Sequence, residues 1–171
     1  VLLLSLTLII NIVSIHGSTT KDEDTLIKTT EGLVQGIKRD GIIQFIGIPF
    51  AKPPINELRF ESPQTLESRP KKDVLNATQT LDSINACPQS RGGSISGDED
   101  CLYLNIFAPS NKKKNKKLPV MLWIPGGRFE VGAGSSFLYD PTNWLNNPKA
   151  NNVIIVTINY RIGTNVIYDN I

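Results

Sequence analysis

The chain has one histidine, His16, and no serine framed as Gly-x-Ser-x-Gly. Everything after residue 16 therefore lacks an imidazole base that works near neutral pH. The serine of a strained strand-to-helix turn is missing as well. Together these gaps exclude a self-contained Ser–His pair within the 171 residues. Only two cysteines occur, Cys87 and Cys101. With no histidine in the mature part, they supply too few soft ligands for a structural zinc site. The net charge of +2 is too small to argue for a nucleic-acid partner. No apolar run reaches the ~20 residues that a membrane-spanning helix needs.

What is present starts with a leader. Val1 to Ile15 is apolar apart from Ser5, Thr7, Asn11 and Ser14, and small and charged residues follow from Gly17. This is the pattern of a secretory signal peptide, with Gly17 at the expected cut. It has no initiator Met and no basic start, so the chain is expected to begin inside the leader. The expectation is residues 1–17 as a partial signal peptide and 18–171 as one domain portion, secreted and without a stable membrane anchor, with an uncleaved anchor as the rival reading. Asn76-Ala77-Thr78 is an N-glycosylation sequon, which agrees with export. The cysteines allow two readings. A bridge in an oxidising compartment would add about 3 kcal/mol by closing a short loop; buried free thiols are the other. The Lys112–Lys117 run reads as a solvated loop between apolar runs.

Several strands are legible. Leu33–Ile37 and Ile42–Ile46 flank Lys38-Arg39-Asp40-Gly41, whose Asp-Gly suits a tight hairpin. The proline-rich stretch from Gly47 to Pro54 reads as neither helix nor central strand. Val74–Leu81 holds room for a short strand, and Ser90–Asp98 reads as a mobile Gly/Ser loop. Leu102–Phe107 alternates, Val120–Ile124 reads as buried, and a short helix is expected around Trp144 and Leu145. Val153–Asn159 is a β-branched run expected to be buried on both faces. A strand-rich start followed by buried strands suits the first part of an α/β sheet.

Trp123-Ile124-Pro125-Gly126-Gly127-Arg128-Phe129 carries the chemistry. A strand that runs into paired glycines leaves backbone N–H groups bare, suited to hold a negatively charged oxygen. The spacing of Gly127 to Gly132 also matches the opening of a phosphate loop, but Ala133-Gly134 stands where Lys and Ser/Thr are required. Gly92-Gly93-Ser94-Ile95-Ser96-Gly97 misses the serine-turn frame, because Gly does not stand two places after Ser94.

Three segments combine into a specific pattern. They are Phe45 to Pro54 followed by Leu58-Arg59-Phe60, then Glu99-Asp100-Cys101-Leu102-Tyr103-Leu104-Asn105, then Leu118 through Gly127 to Asn159-Tyr160-Arg161-Ile162-Gly163. In this order they resemble the N-terminal part of the type-B carboxylesterase/lipase family, which includes the cholinesterases, over Gly32 to Gly163. The resemblance implies an incomplete α/β-hydrolase fold and ester hydrolysis by a Ser-Glu/Asp-His triad with no cofactor. In that fold the nucleophile, acid and base follow the oxyanion loop, so their absence is what the resemblance predicts for an N-terminal piece. The resemblance implies that Cys87 pairs with Cys101. It also implies that Gly126, Gly127 and Arg128 form the oxyanion turn, with the N–H groups of Gly127 and Arg128 as donors. Each such donor is worth about 2.7–4 kcal/mol to the transition state.

The chain departs from the family at Arg128, which replaces a third glycine. If this residue needs positive φ, strain follows; otherwise its side chain narrows the pocket, attracts an acidic substrate or points to solvent. A second departure is the end, where Thr164 to Ile171 lacks the family's Gly and aromatic residue. The expected partner is a small-molecule or lipid ester. The alternative is a non-catalytic adhesion or binding protein on the same fold.

Overall fold

The computed structural model describes residues 25–110, 117–149 and 152–163. The leader, most of the lysine run and the divergent end lie outside the described residues. A five-stranded sheet organises the rest. Its strands are β3 (Ile37–Arg39), β4 (Ile42–Pro49), β8 (Tyr103–Pro109), β9 (Val120–Trp123) and β10 (Ile154–Ile158), in the order β3-β4-β8-β10-β9. Every neighbouring pair is antiparallel except β10 with β9. A three-stranded sheet joins β1 (Leu26–Thr29), β2 (Gly32–Gln35) and β5 (Val74–Asn76) in the order β1-β2-β5.

β10 is the inner strand that its composition predicts. β-branched side chains fit a pleated surface with neighbours on both sides. Ile154 and Val156 enter one apolar cluster with Phe45, Leu104 and Ile106. Ile155 enters the opposite cluster with Ile42, Ile46 and Phe107. Burial on two faces leaves no side of β10 polar, and the run reads accordingly.

Some elements differ from the sequence reading. Lys38 and Arg39 belong to β3, so the turn is Asp40-Gly41 alone, with φ of 50° and 82°. Those two positive angles match the twist of a tight hairpin. β4 continues through Gly47 and Ile48 to Pro49 and lies between β3 and β8, as a central strand. The register shifts between Phe45 and Ile48, and Gly47 sits at φ 79° in that irregularity. Buried Asn105 makes the bulge possible. Its Oδ1 accepts from the Gly47 amide at 3.0 Å, and its Nδ2 donates to Thr157 Oγ1 at 3.0 Å. A ladder bond lost at the bulge is thus replaced by a side chain.

The Gly/Ser segment is an ordered hairpin of β6 (Gln89–Arg91) and β7 (Ser94–Ser96) around Gly92-Gly93. β9 is less buried than its apolar run suggests, with Val120 and Trp123 exposed, because it forms the edge of the described sheet. The crossover from β9 to β10 contains one short α-helix, α1 (Thr142–Leu145), which buries Leu145. The long crossover helices of a complete α/β sheet are not among the described residues.

The Glu99–Asn105 run is a structural brace. Cys101 bonds to Cys87 across 14 residues, and both are buried. Closing a loop of that size adds about 3 kcal/mol in the chain-entropy account. Glu99 takes a two-pronged ion pair from Arg59, with Arg59 Nη2 donating to Glu99 Oε2 at 2.7 Å. That hydrogen bond holds the Glu99 carboxyl below its ordinary value. Asp100 accepts from the Tyr103 hydroxyl at 2.9 Å. Burial, and then the carboxylate, push the Tyr103 hydroxyl up to about 12.

Candidate active site

The turn begins where β9 ends. Pro125 is buried, Gly126 and Arg128 are exposed, and Gly127 is half-buried. The backbone is trans throughout the described residues. In a trans peptide the carbonyl and the following N–H point to opposite sides. A carbonyl that is tied inward therefore turns its own N–H outward.

Of three successive peptide units, two have a hydrogen-bonded carbonyl and the middle one has its carbonyl packed against Gly132. The Pro125 carbonyl accepts from the Tyr160 hydroxyl at 2.7 Å, which turns the Gly126 N–H away from Tyr160. The Gly126 carbonyl lies against Gly132, where a Cβ would meet it at 2.5 Å, so the Gly127 N–H faces away from Gly132. The Gly127 carbonyl accepts from the amides of Glu130 at 3.0 Å and Val131 at 3.1 Å. The Arg128 N–H accordingly points away from that tight turn. Among the described residues, nothing accepts a hydrogen bond from the amides of Gly126, Gly127 or Arg128.

Sequence explains why the chain tolerates this path. Gly127 has φ 146°, and a Cβ there would overlap the Val131 carbonyl, so only glycine fits. Arg128 and Phe129 follow with φ of 59° and 61°. Two consecutive side-chain-bearing residues in the left-handed region store roughly 1–2 kcal/mol each. Of the readings weighed for Arg128, the strained backbone is the one realised, and its side chain reaches solvent. Phe129 is 71% exposed and meets Tyr160 edge to face at 6.3 Å. Its carbonyl accepts from the Gly163 amide at 2.6 Å.

The far limb of the loop is fastened from two directions. Gly132 donates its amide to Gln89 Oε1 at 3.0 Å and accepts from Gln89 Nε2 at 3.3 Å. Buried Asn159 accepts from the Gly134 amide at 2.7 Å and donates to the carbonyls of Asn85 at 2.8 Å and Cys101 at 3.1 Å. Gly134 packs against the Ile158 backbone too closely for any Cβ. Thus β10, the disulfide brace and the turn form one hydrogen-bonded unit.

Of the residues singled out from sequence, Cys87 and Cys101 are brought together. Gly126, Gly127 and Arg128 form one exposed turn. Asn76 sits apart, exposed on the smaller sheet, with its Oδ1 accepting from the Thr78 hydroxyl at 2.7 Å. The residues that hold the turn, Gln89, Gly132 and Tyr160, were not assigned that task from sequence. No local signal marks Gln89, because its partner Gly132 lies 43 residues away in the sequence.

The family model described as "Carboxylesterase family" matches residues 23–165. The chain belongs to the carboxylesterase family. It is 44% identical over 145 residues to the para-nitrobenzyl esterase of Bacillus subtilis (strain 168), covering 81% of this chain and 28% of that protein. It is 40% identical over 171 aligned residues to the cAMP-regulated D2 protein of Dictyostelium discoideum, covering 95% and 30% respectively. Mouse cholinesterase is 37% identical over 161 residues, covering 86% and 26%. Among solved structures, a thermophilic para-nitrobenzyl esterase superposes with a TM-score of 0.67 at 40% identity, covering 81% of this chain and 28% of that one. The fold is therefore the strand-rich N-terminal part of an α/β hydrolase. The chain spans less than a third of the length of these relatives.

Proposed function

We propose that this chain is the N-terminal portion of a secreted carboxylic-ester hydrolase, and that Gly126, Gly127 and Arg128 form its oxyanion turn. The observation that carries the reading is a run of three successive amides, Gly126, Gly127 and Arg128, that donate to no described residue, while the Pro125 and Gly127 carbonyls are hydrogen-bonded and the Gly126 carbonyl lies against Gly132. In the whole enzyme, a serine oxygen would attack the ester carbonyl while a histidine takes its proton. The carbonyl oxygen becomes negative as the new C–O bond forms. Fixed N–H dipoles stabilise that charge with no reorganisation at the moment of reaction. Collapse expels the alcohol, which receives the proton, and water then releases the acid by the same steps. No metal or organic cofactor takes part. The 171-residue chain alone is expected to be inactive.

The substrate is a small-molecule or lipid ester; neither nucleic acid nor a stable membrane anchor is involved. Support for export comes from the apolar leader at residues 1–17, the disulfide and the exposed sequon at Asn76, which we expect to carry a glycan. No helix of the described residues is long and apolar enough to cross a membrane. The strained Arg128 is the observation that favours a rival reading, a binding protein in which the turn has lost its task. The full-length protein, assayed on an activated short-chain ester with and without a serine-reactive phosphonate, separates the two. The hydrolase reading requires turnover that the phosphonate abolishes; absence of turnover supports the binding protein.

A further inference from the structure

We propose that Gln89 is a positioning residue that aims the Gly127 N–H; this rests on the oxyanion reading of the turn. One primary amide grips both polar groups of the Gly132 backbone, accepting from its N–H at 3.0 Å and donating to its carbonyl at 3.3 Å. The same Nε2 also donates to the Cys87 carbonyl at 3.1 Å, next to the buried disulfide. Gln89 therefore links the most rigid covalent point of this region to the far limb of the turn.

The second half of the argument is steric. Gly132, at φ 118°, lies so close behind the Gly126 carbonyl that a Cβ on Gly132 would sit 2.5 Å from that oxygen. The Gly126 carbonyl receives no hydrogen bond from any described residue. Its orientation is set by contact with Gly132, and the position of Gly132 is set by Gln89. The Gly127 N–H shares that peptide plane and points the opposite way. A shift of Gly132 lets the Gly126–Gly127 plane rotate and turns the donor off its line. Gly126 itself offers no resistance, because a Cβ there would meet nothing within 4 Å.

The test uses the full-length protein with Gln89→Met, which keeps the length of the side chain but removes its hydrogen bonds, and Gln89→Glu, which keeps an acceptor for the Gly132 amide. Displacement of one donor should cost Gln89→Met about tenfold or more in kcat, with KM within about twofold. Affinity for a trifluoromethyl ketone, which forms a tetrahedral adduct, should fall by a matching factor. Gln89→Glu should recover part of both losses. A lower melting temperature with kcat and ketone affinity intact would show Gln89 to be merely structural and overturn the proposal; a change in KM alone would do the same. If Gln89→Met fails to fold, Gln89→Glu carries the same comparison against wild type, with a smaller kcat loss expected and an unchanged kcat contradicting it. If wild type neither turns over ester nor binds the ketone, the hydrolase reading fails by itself. Amide hydrogen exchange then reads the clamp: faster exchange at Gly132 in Gln89→Met supports it, and unchanged exchange overturns it.

Discussion

β10 and the turn at Gly126–Gly132 lie side by side in the fold and obey opposite rules. β10 is β-branched, buried on both faces and paired with β8 and β9. The turn exposes its amides, places Arg128 and Phe129 in the left-handed region and depends on Gly127, Gly132 and Gly134 for close approach. One region minimises unpaired backbone groups; the other creates them. Strain and unpaired donors persist only where the surroundings over-determine them, and here β10 contributes to that restraint through Ile158 and the adjoining Asn159. Sites where local preferences are broken are where function is expected, and the proposed oxyanion turn is one of them.

The largest way to break this contrast is Gly127→Ala in the full-length protein. The new Cβ would collide with the Val131 carbonyl, and the turn would have to open. Ester turnover should drop at least ~100-fold, measured as kcat/KM on an activated ester. Retained activity would mean the turn takes no part in the chemistry. Next comes Asn159→Ala, which strikes the link between strand and turn. It strands the Gly134 amide and the carbonyls of Asn85 and Cys101. Denaturant unfolding should show a loss of about 3 kcal/mol.

Arg128→Gly sharpens the comparison from the other side. Relief of left-handed strain should raise stability by about 1 kcal/mol, visible as a higher denaturation midpoint. A fall in stability would show that the arginine side chain makes a compensating contact. The smallest effect belongs to the brace. The Tyr103 hydroxyl is raised from 10.0 to about 12 in the folded protein. Its contribution is therefore fully present below pH 10 and lost as pH rises through about 12. Tyr103→Phe should flatten that alkaline decline in a stability–pH profile.

β10 was legible because its apolar run needs no information from elsewhere. The unpaired amides at Gly126–Arg128 were legible because a strand that runs into paired glycines leaves N–H groups without ladder partners. β4 was not, since Gly47 and Pro49 look like terminators until buried Asn105, 58 residues away in sequence, replaces the lost ladder bond. β9 looked buried because its residues are apolar, but burial is decided by neighbours, and it lies at the edge of the described sheet. The role of Gln89 is hidden in the sequence for a similar reason. Its partner is 43 residues away, and nothing local marks a glutamine that grips a glycine backbone. The carboxylesterase signature at Glu99–Asn105 identified the family, yet its residues serve the brace rather than the turn.

The most direct measurement is a crystal structure of the full-length protein with a trifluoromethyl ketone or phosphonate bound to its nucleophile. The adduct oxygen should lie about 2.7–3.1 Å from the amide nitrogens of Gly127 and Arg128, with the Gly126 carbonyl still turned toward Gly132. An adduct oxygen held by other groups, with these amides facing solvent or bonded elsewhere, would contradict the account.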